Sequence, residues 1–143
     1  MREPHRTPEQ LVALYFDTVN DQRLDDLSII LADEFVSHLR IGDLRGVPRF
    51  CELMRLFYRA FPEARWHADE IITTANRATV RYHWEGVQRD AFLGIPATHK
   101  MVRAEGLELL HVARGQIVEI WNYSDIMGLA AQLRAPDPLS MEV

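Results

Sequence analysis

The chain has 143 residues, 48% hydrophobic and 26% charged, with a formal net charge of −5. This is the length of one domain, able to bury about two-thirds of its chain surface. The acidic balance and the absence of a Lys/Arg cluster exclude a nucleic-acid binder, and no apolar run approaches the roughly 18 residues of a membrane helix.

The stretch Met1–Gln10 lacks the apolar core of a signal peptide, so a cytoplasmic location is expected. Cys51 is the single cysteine, which rules out a disulfide within the chain. In chain order, Thr7-Pro8-Glu9-Gln10 predicts a helix start, a Thr cap with Gln closing a capping box. Leu11, Leu14, Tyr15, Thr18 and Val19 then share one helical face. A second short helix is expected over Leu24 to Ala32, and a short strand over Glu34 to Leu39 carries His38. Gly42 and Gly46 bracket a predicted loop. A third helix follows from Val47-Pro48 to about Ala60, and Pro62 stops it.

From there to Tyr123 the pattern is strand-like. Trp66 to Thr74, Ala78 to Trp84, Met101 to Val112 and Gln116 to Tyr123 are the expected strands, with turns at Ala75–Arg77 and Ala113–Gly115. Gly86 to Thr98 reads as a loop or irregular edge. Ile126 to Leu133 is a last helix, and residues 135–143 form a tail. Helices followed by an antiparallel run imply an α+β class, one curved sheet wrapped over the N-terminal helices around a cone-shaped interior. Such a cone favours a deep pocket with one open end. The whole chain reads as one domain, with its core at about residues 7–134.

Several side chains carry potential chemistry. Asp125 stands where the last strand joins the last helix, so it either caps that helix or points into the interior as an acid/base. His38 ends a strand, facing either the interior or water. Arg81 and His83 share the polar face of their strand and polarise a carbonyl if that face lines the cone. Glu105 and His111 share a parity on the long strand and face either the interior or an inter-strand ion pair. Tyr15 and Trp121 border the cone. His67 and Asp69 share a strand face, but no second pair has matching spacing, so no metal is expected.

Phe92-Leu93-Gly94-Ile95-Pro96-Ala97-Thr98, Gly106, Gly115 through Trp121, Asp125 and Gln132-Leu133, in that order, resemble the SnoaL-like polyketide cyclase family of the nuclear transport factor 2-like superfamily. The similarity spans about residues 9 to 134. It implies a cystatin-like α+β barrel and a cyclase that closes a ring by intramolecular aldol condensation without metal or cofactor. It also implies that Asp125 is the acid/base and that His38 faces the pocket beside it. Where family members carry a histidine before the FLG segment, this chain has Gln88, expected among the substrate contacts.

Two functions remain open. One is a cofactor-independent catalyst acting on a small apolar carbonyl compound; isomerisation, dehydration and epoxide opening use the same equipment. The other is a ligand-binding or dimer-forming module, favoured by Gln88. A carboxylate of Asp125 inside the cavity supports the enzyme, and one bonded to the N–H of Met127 or Gly128 supports the module. Self-association, as a dimer or tetramer, is expected through apolar strands such as Val112 and Ile117 to Ile120.

Overall fold

Thr7 opens the first helix as its sequence demands. Its Oγ1 accepts from the Gln10 N–H at 3.2 Å, and the Gln10 side chain accepts from the Thr7 N–H at 2.9 Å. The computed structural model describes residues 5–136. Helix α1 spans Pro8–Asn20, and its stripe of Leu11, Val12, Tyr15, Phe16 and Val19 is buried. The expected second helix is shorter: a 3₁₀ turn, Leu24–Asp26, precedes a single α turn, α2, at Leu27–Ile30. Strand β1 then takes over at Leu31 and runs to Leu39. Its burial of Leu31, Phe35 and Ser37 under the helices outweighs the weak helical pattern of so short a segment.

The predicted loop after His38 is instead strand β2, Gly42–Arg45, folded back as a hairpin with Leu39 opposite Gly42 and Val36 opposite Arg45. Gly42, at φ 133°, makes the turn possible. Helix α3, Val47–Ala60, follows and ends before Pro62. Strands β3 (Arg65–Thr73), β4 (Arg77–Val87), β5 (Met101–Ala113) and β6 (Gln116–Ser124) complete the sheet, and α4 covers Ile126–Arg134. The tail read from residue 135 lies, from residue 137 on, outside the described residues.

The six strands are ordered β2-β1-β6-β5-β4-β3. Only β1 and β6 run parallel; every other neighbouring pair is antiparallel. The architecture is α+β, with four helices and one curved, mostly antiparallel sheet among the described residues. Strict alternation separates its faces. On β4, Ala78, Val80, Tyr82 and Trp84 are buried; on β5, Val102, Ala104, Glu108, Leu110 and Val112 are. Val112, Ile117 and Ile120 therefore belong to the core and are not the self-association surface expected of them. The large apolar side chains exposed on the strands, among the described residues, are Ile71, Ile72, Met101, Leu107 and Tyr123.

Helices α1 and α3 fill the concave face. Phe57 meets Trp84 edge-on at 4.8 Å, and Phe35 meets Phe50 in the same way at 5.4 Å. Each such side chain, fully buried, stabilises the fold by about 1.5–3 kcal/mol. The core thus fixes these helices to the sheet near β1, β3 and β4 and leaves the cone open toward the start of β2 and the loop after β4.

Candidate active site

The polar end of the interior is built by strand register. Tyr82 stands opposite Gly106, and Gly106 opposite Ser124, so three strands contribute one row across the sheet. Gly106 is the open position in that row: a Cβ there would collide with the Tyr82 phenol. Without it, Tyr82 reaches across β5 to Ser124 Oγ at 2.9 Å. Asn122 Nδ2 donates to the Tyr82 oxygen at 2.9 Å, and Ser124 Oγ donates to Asn122 Oδ1. With Ser124's hydrogen committed to Asn122, Tyr82 must donate to Ser124, and the three groups close a ring in which each donates once.

Asn122 retains a second amide hydrogen, and its direct cross-strand partner is Glu108. Glu108 is only 6% exposed. Burial pushes its carboxyl up to about 7, the Asn122 side chain offsetting part of the rise. Burial and the nearby Glu108 push the Tyr82 phenol up to about 12 and raise Tyr15 well above its ordinary range. Tyr58, in the wall behind, is pushed up to about 12 by burial; it donates to the Val19 carbonyl and accepts from Trp66 Nε1. At neutral pH the phenols are therefore donors, while Glu108 is poised between acid and base.

These groups end a cavity of about 560 Å³ between the sheet and helices α1 and α3. Its walls are apolar and aromatic: Tyr15, Phe16, Phe50, Met54, Phe57 and Trp66. Ser37, Tyr82, Glu108, Asn122 and Ser124 form the polar end, and Arg40, Ile41, Arg59, Asp90, Leu93 and Ile126 frame the exposed mouth. Among the described residues, no three His, Cys, Asp or Glu side chains converge in this cavity; the one such cluster, His67, His83 and Glu85, lies on the sheet's other face.

Residues 9–133 match the family model for SnoaL-like polyketide cyclases. The chain belongs to the SnoaL-like polyketide cyclase family. Solved structures share its fold at low identity. A candidate SnoaL-like polyketide cyclase from Jannaschia sp. CCS1 is 20% identical, with TM-score 0.84 over 96% of this chain and 99% of that one. IdmH from Streptomyces antibioticus, a candidate polyketide cyclase, is 24% identical, with TM-score 0.82 over 91% and 100%. A SnoaL-like polyketide cyclase from Agrobacterium tumefaciens is 19% identical, with TM-score 0.77 over 90% and 98%. No curated protein sequence matches the chain.

Within this SnoaL-like domain the expected site residues part company. Tyr15 lines the cavity. Asp125 does not: its Oδ1 accepts from the Gly128 N–H at 2.9 Å, capping α4, and Gly128 lacks the Cβ that would clash with the carboxylate. His38 lies on the other face of β1 from Ser37. Its ring stacks on Trp121 at 4.9 Å and bridges Asp43 (2.8 Å) and Glu119 (2.5 Å). The hydrogen bond to Glu119 is the main cause of its raised pKa, with Asp43 adding to it and burial opposing. Trp121 therefore supports His38 and does not touch the cavity.

The face of β4 expected to line the cone is the outer one. Arg81 is exposed beside Glu70, and His83 bonds Asp69 there, because the alternate residues Val80, Tyr82 and Trp84 supply the apolar surface that the helices bury. Glu105 is likewise exposed, against Arg103. Gln88 is fully buried, but as a strut: its side chain donates to the Ile95 carbonyl and accepts from the N–H and hydroxyl of Thr98. The residue missed in sequence was Glu108. Its signal was its parity with Ala104, Leu110 and Val112, an acid on the apolar side of a strand, whereas Glu105 shares parity with Arg103 and His111.

Proposed function

We propose that this domain is a cofactor-independent acid/base catalyst that cyclises or isomerises an apolar carbonyl compound, with Glu108 as its proton carrier. The observation that carries the reading is a buried carboxylate, raised to about 7 and facing an amide rather than a cation, in the polar lining of an aromatic cavity. A proton on carbon between two carbonyls is acidic enough for such a base. Glu108 takes that proton, and the electron pair moves onto the carbonyl oxygen as an enolate. The Tyr15 hydroxyl, a donor at neutral pH, stabilises that oxygen. In a ring closure the enolate carbon attacks a second carbonyl, and protonated Glu108 returns its proton to the new alkoxide. The Tyr82–Asn122–Ser124 ring holds Asn122 so that its free N–H faces Glu108. No water, metal or redox partner enters the balance of this step.

The carboxylate first expected in this role, Asp125, is engaged with Gly128. That bond, taken alone, favours the second reading, a non-catalytic binding module that uses the same cavity. The two readings separate on proton exchange in benzoylacetone, an apolar 1,3-diketone, followed by NMR in deuterium oxide. The enzyme reading expects exchange above the buffer rate, rising to a plateau above about pH 7. It expects Glu108→Gln to abolish it, by 10²- to 10⁴-fold for a lost proton-transfer group, and Asp125→Asn to retain it. Saturable binding with no accelerated exchange supports the module instead.

We also propose self-association through the outer sheet face, where Leu107 (46% exposed) and Tyr123 (60% exposed) stand as direct cross-strand partners. A monomer mass by light scattering at micromolar concentration overturns this, as does an unchanged oligomer mass in Leu107→Glu/Tyr123→Glu.

A further inference from the structure

On the outer face of the sheet, at the β3–β4 edge, the register assembles a second group of reactive side chains. His67 and His83 are direct cross-strand partners, with rings stacked at 4.6 Å and 16° apart in plane. Glu85 follows two residues after His83 and so shares its face. Glu85 Oε1 lies 3.3 Å from His83 Nε2 and 4.0 Å from His67 Nε2. We propose that His67, His83 and Glu85 form a binding site for a divalent transition-metal ion of the zinc class, with Asp69 orienting His83.

Four observations carry it. First, the donor atoms of the three residues all lie within 4.8 Å of one another, and the 3.3 Å separation matches a tetrahedral edge for bonds of about 2.0–2.1 Å. Second, His83 is already held as metal-bound imidazoles are held. A β-bulge between Ala68 and Glu70 puts Asp69 within 2.6 Å of His83 Nδ1. The carboxylate accepts the Nδ1 hydrogen, which leaves the Nε2 lone pair aimed at Glu85.

Third, Glu85 is withheld from better ionic partners. Its cross-strand neighbours are both arginines, Arg65 and Arg103. Yet Arg65 turns to the Asn20 carbonyl and Arg103 to Glu105, and the two histidines are the ionic partners of Glu85 among the described residues. Fourth, the His83 side chain is only 12% exposed, so its orientation is set by packing as well as by Asp69. Two imidazoles and one carboxylate select zinc, cobalt, nickel or copper over calcium and magnesium, which take oxygen donors. Three protein ligands leave a fourth position for water, and the ion clips edge strand β3 to β4.

The experiment tests for the ion directly. Chelator-stripped protein is titrated with zinc against a chromophoric indicator at pH 7.5, and with cobalt(II) for its d–d absorption. Expected are one equivalent per chain, a cobalt spectrum of four- or five-coordinate intensity, and a raised melting temperature with zinc. His83→Asn and Glu85→Gln abolish the site, and Asp69→Asn weakens it 10- to 100-fold. His38→Ala and Glu108→Gln leave stoichiometry and affinity unchanged, which keeps this result independent of the cavity chemistry. Zinc binding that survives His83→Asn, follows His38→Ala or never reaches one equivalent overturns the proposal. So do His83 resonances that do not move when zinc is added.

Discussion

Replacing Glu108 by Gln keeps the side chain's size and its place opposite Asn122 while removing the charge. Burial raises the Glu108 carboxyl from the ordinary 4.5 to about 7. Between those values the folded protein binds a proton that the unfolded chain has released, so stability falls as pH rises through this window. At 1.36 kcal/mol per pKa unit, charging Glu108 in the folded state costs about 3 kcal/mol above pH 7 and nothing below pH 4.5. Glu108→Gln should therefore be more stable than wild type by about 3 kcal/mol, or roughly 10 °C in melting temperature, at pH 8. Near pH 4.5 the two proteins should be alike. Urea midpoints at pH 4.5, 6 and 8 measure the difference directly. If the wild-type and Gln curves run parallel, Glu108 is not a buried carboxylate under strain, and the argument for its role as a base fails with it. A variant that is more stable yet inactive is the pattern of a group kept for chemistry at the expense of the fold.

Gly106→Ala places a methyl against the Tyr82 phenol; it should cost about 1–3 kcal/mol as an overpacked site and break the ring with Asn122 and Ser124, read by urea midpoint and by the diketone exchange rate. Asp125→Ala should cost about 1 kcal/mol and Asp125→Asn little, since Asn caps as well as Asp, and neither should slow the exchange. His38 has a raised pKa from Glu119 and Asp43. Its contribution to stability is full below the unfolded value of about 6.5 and is lost as pH rises through the higher folded value. His38→Gln should flatten that decline, as denaturation midpoints at pH 6 and 9 will show.

The fold was legible because its signals are local and redundant. The Thr7 box, the Pro at each long helix start and the alternation along Ala78–Trp84 each specify one element. The β1–β2 hairpin was not, because Gly42–Arg45 is four residues long and mostly exposed, with no alternating pattern to declare it. In the site, Tyr15 followed from its helix face. Which polar residues point inward depended on strand parity, and parity alone does not say which face the helices cover. On β4 that choice went to the wrong face for Arg81 and His83, although the aromatic set Tyr82 and Trp84 held the answer. Asp125 illustrates a different limit. An acid at a strand–helix joint fits a cap and a catalyst equally well, and the cap became visible only in the Gly128 N–H that Asp125 accepts at 2.9 Å.

Gln88 has a consequence for how molecules enter and leave. Its side chain grips Ile95 and Thr98, its backbone pairs with Lys100 and His99, and Phe92 and Ile95 bond each other in both directions. The segment that carries Asp90 to Leu93 to the cavity mouth is therefore stitched at both ends and in the middle. This side of the rim is thus a braced wall rather than a flap. On this side passage then turns on rotation of the exposed Leu93 side chain, on the picosecond-to-nanosecond scale, rather than on opening of the segment. Traffic through this protein should be size-selective and fast, and loosening Gln88 should admit bulkier molecules before it affects any chemistry inside.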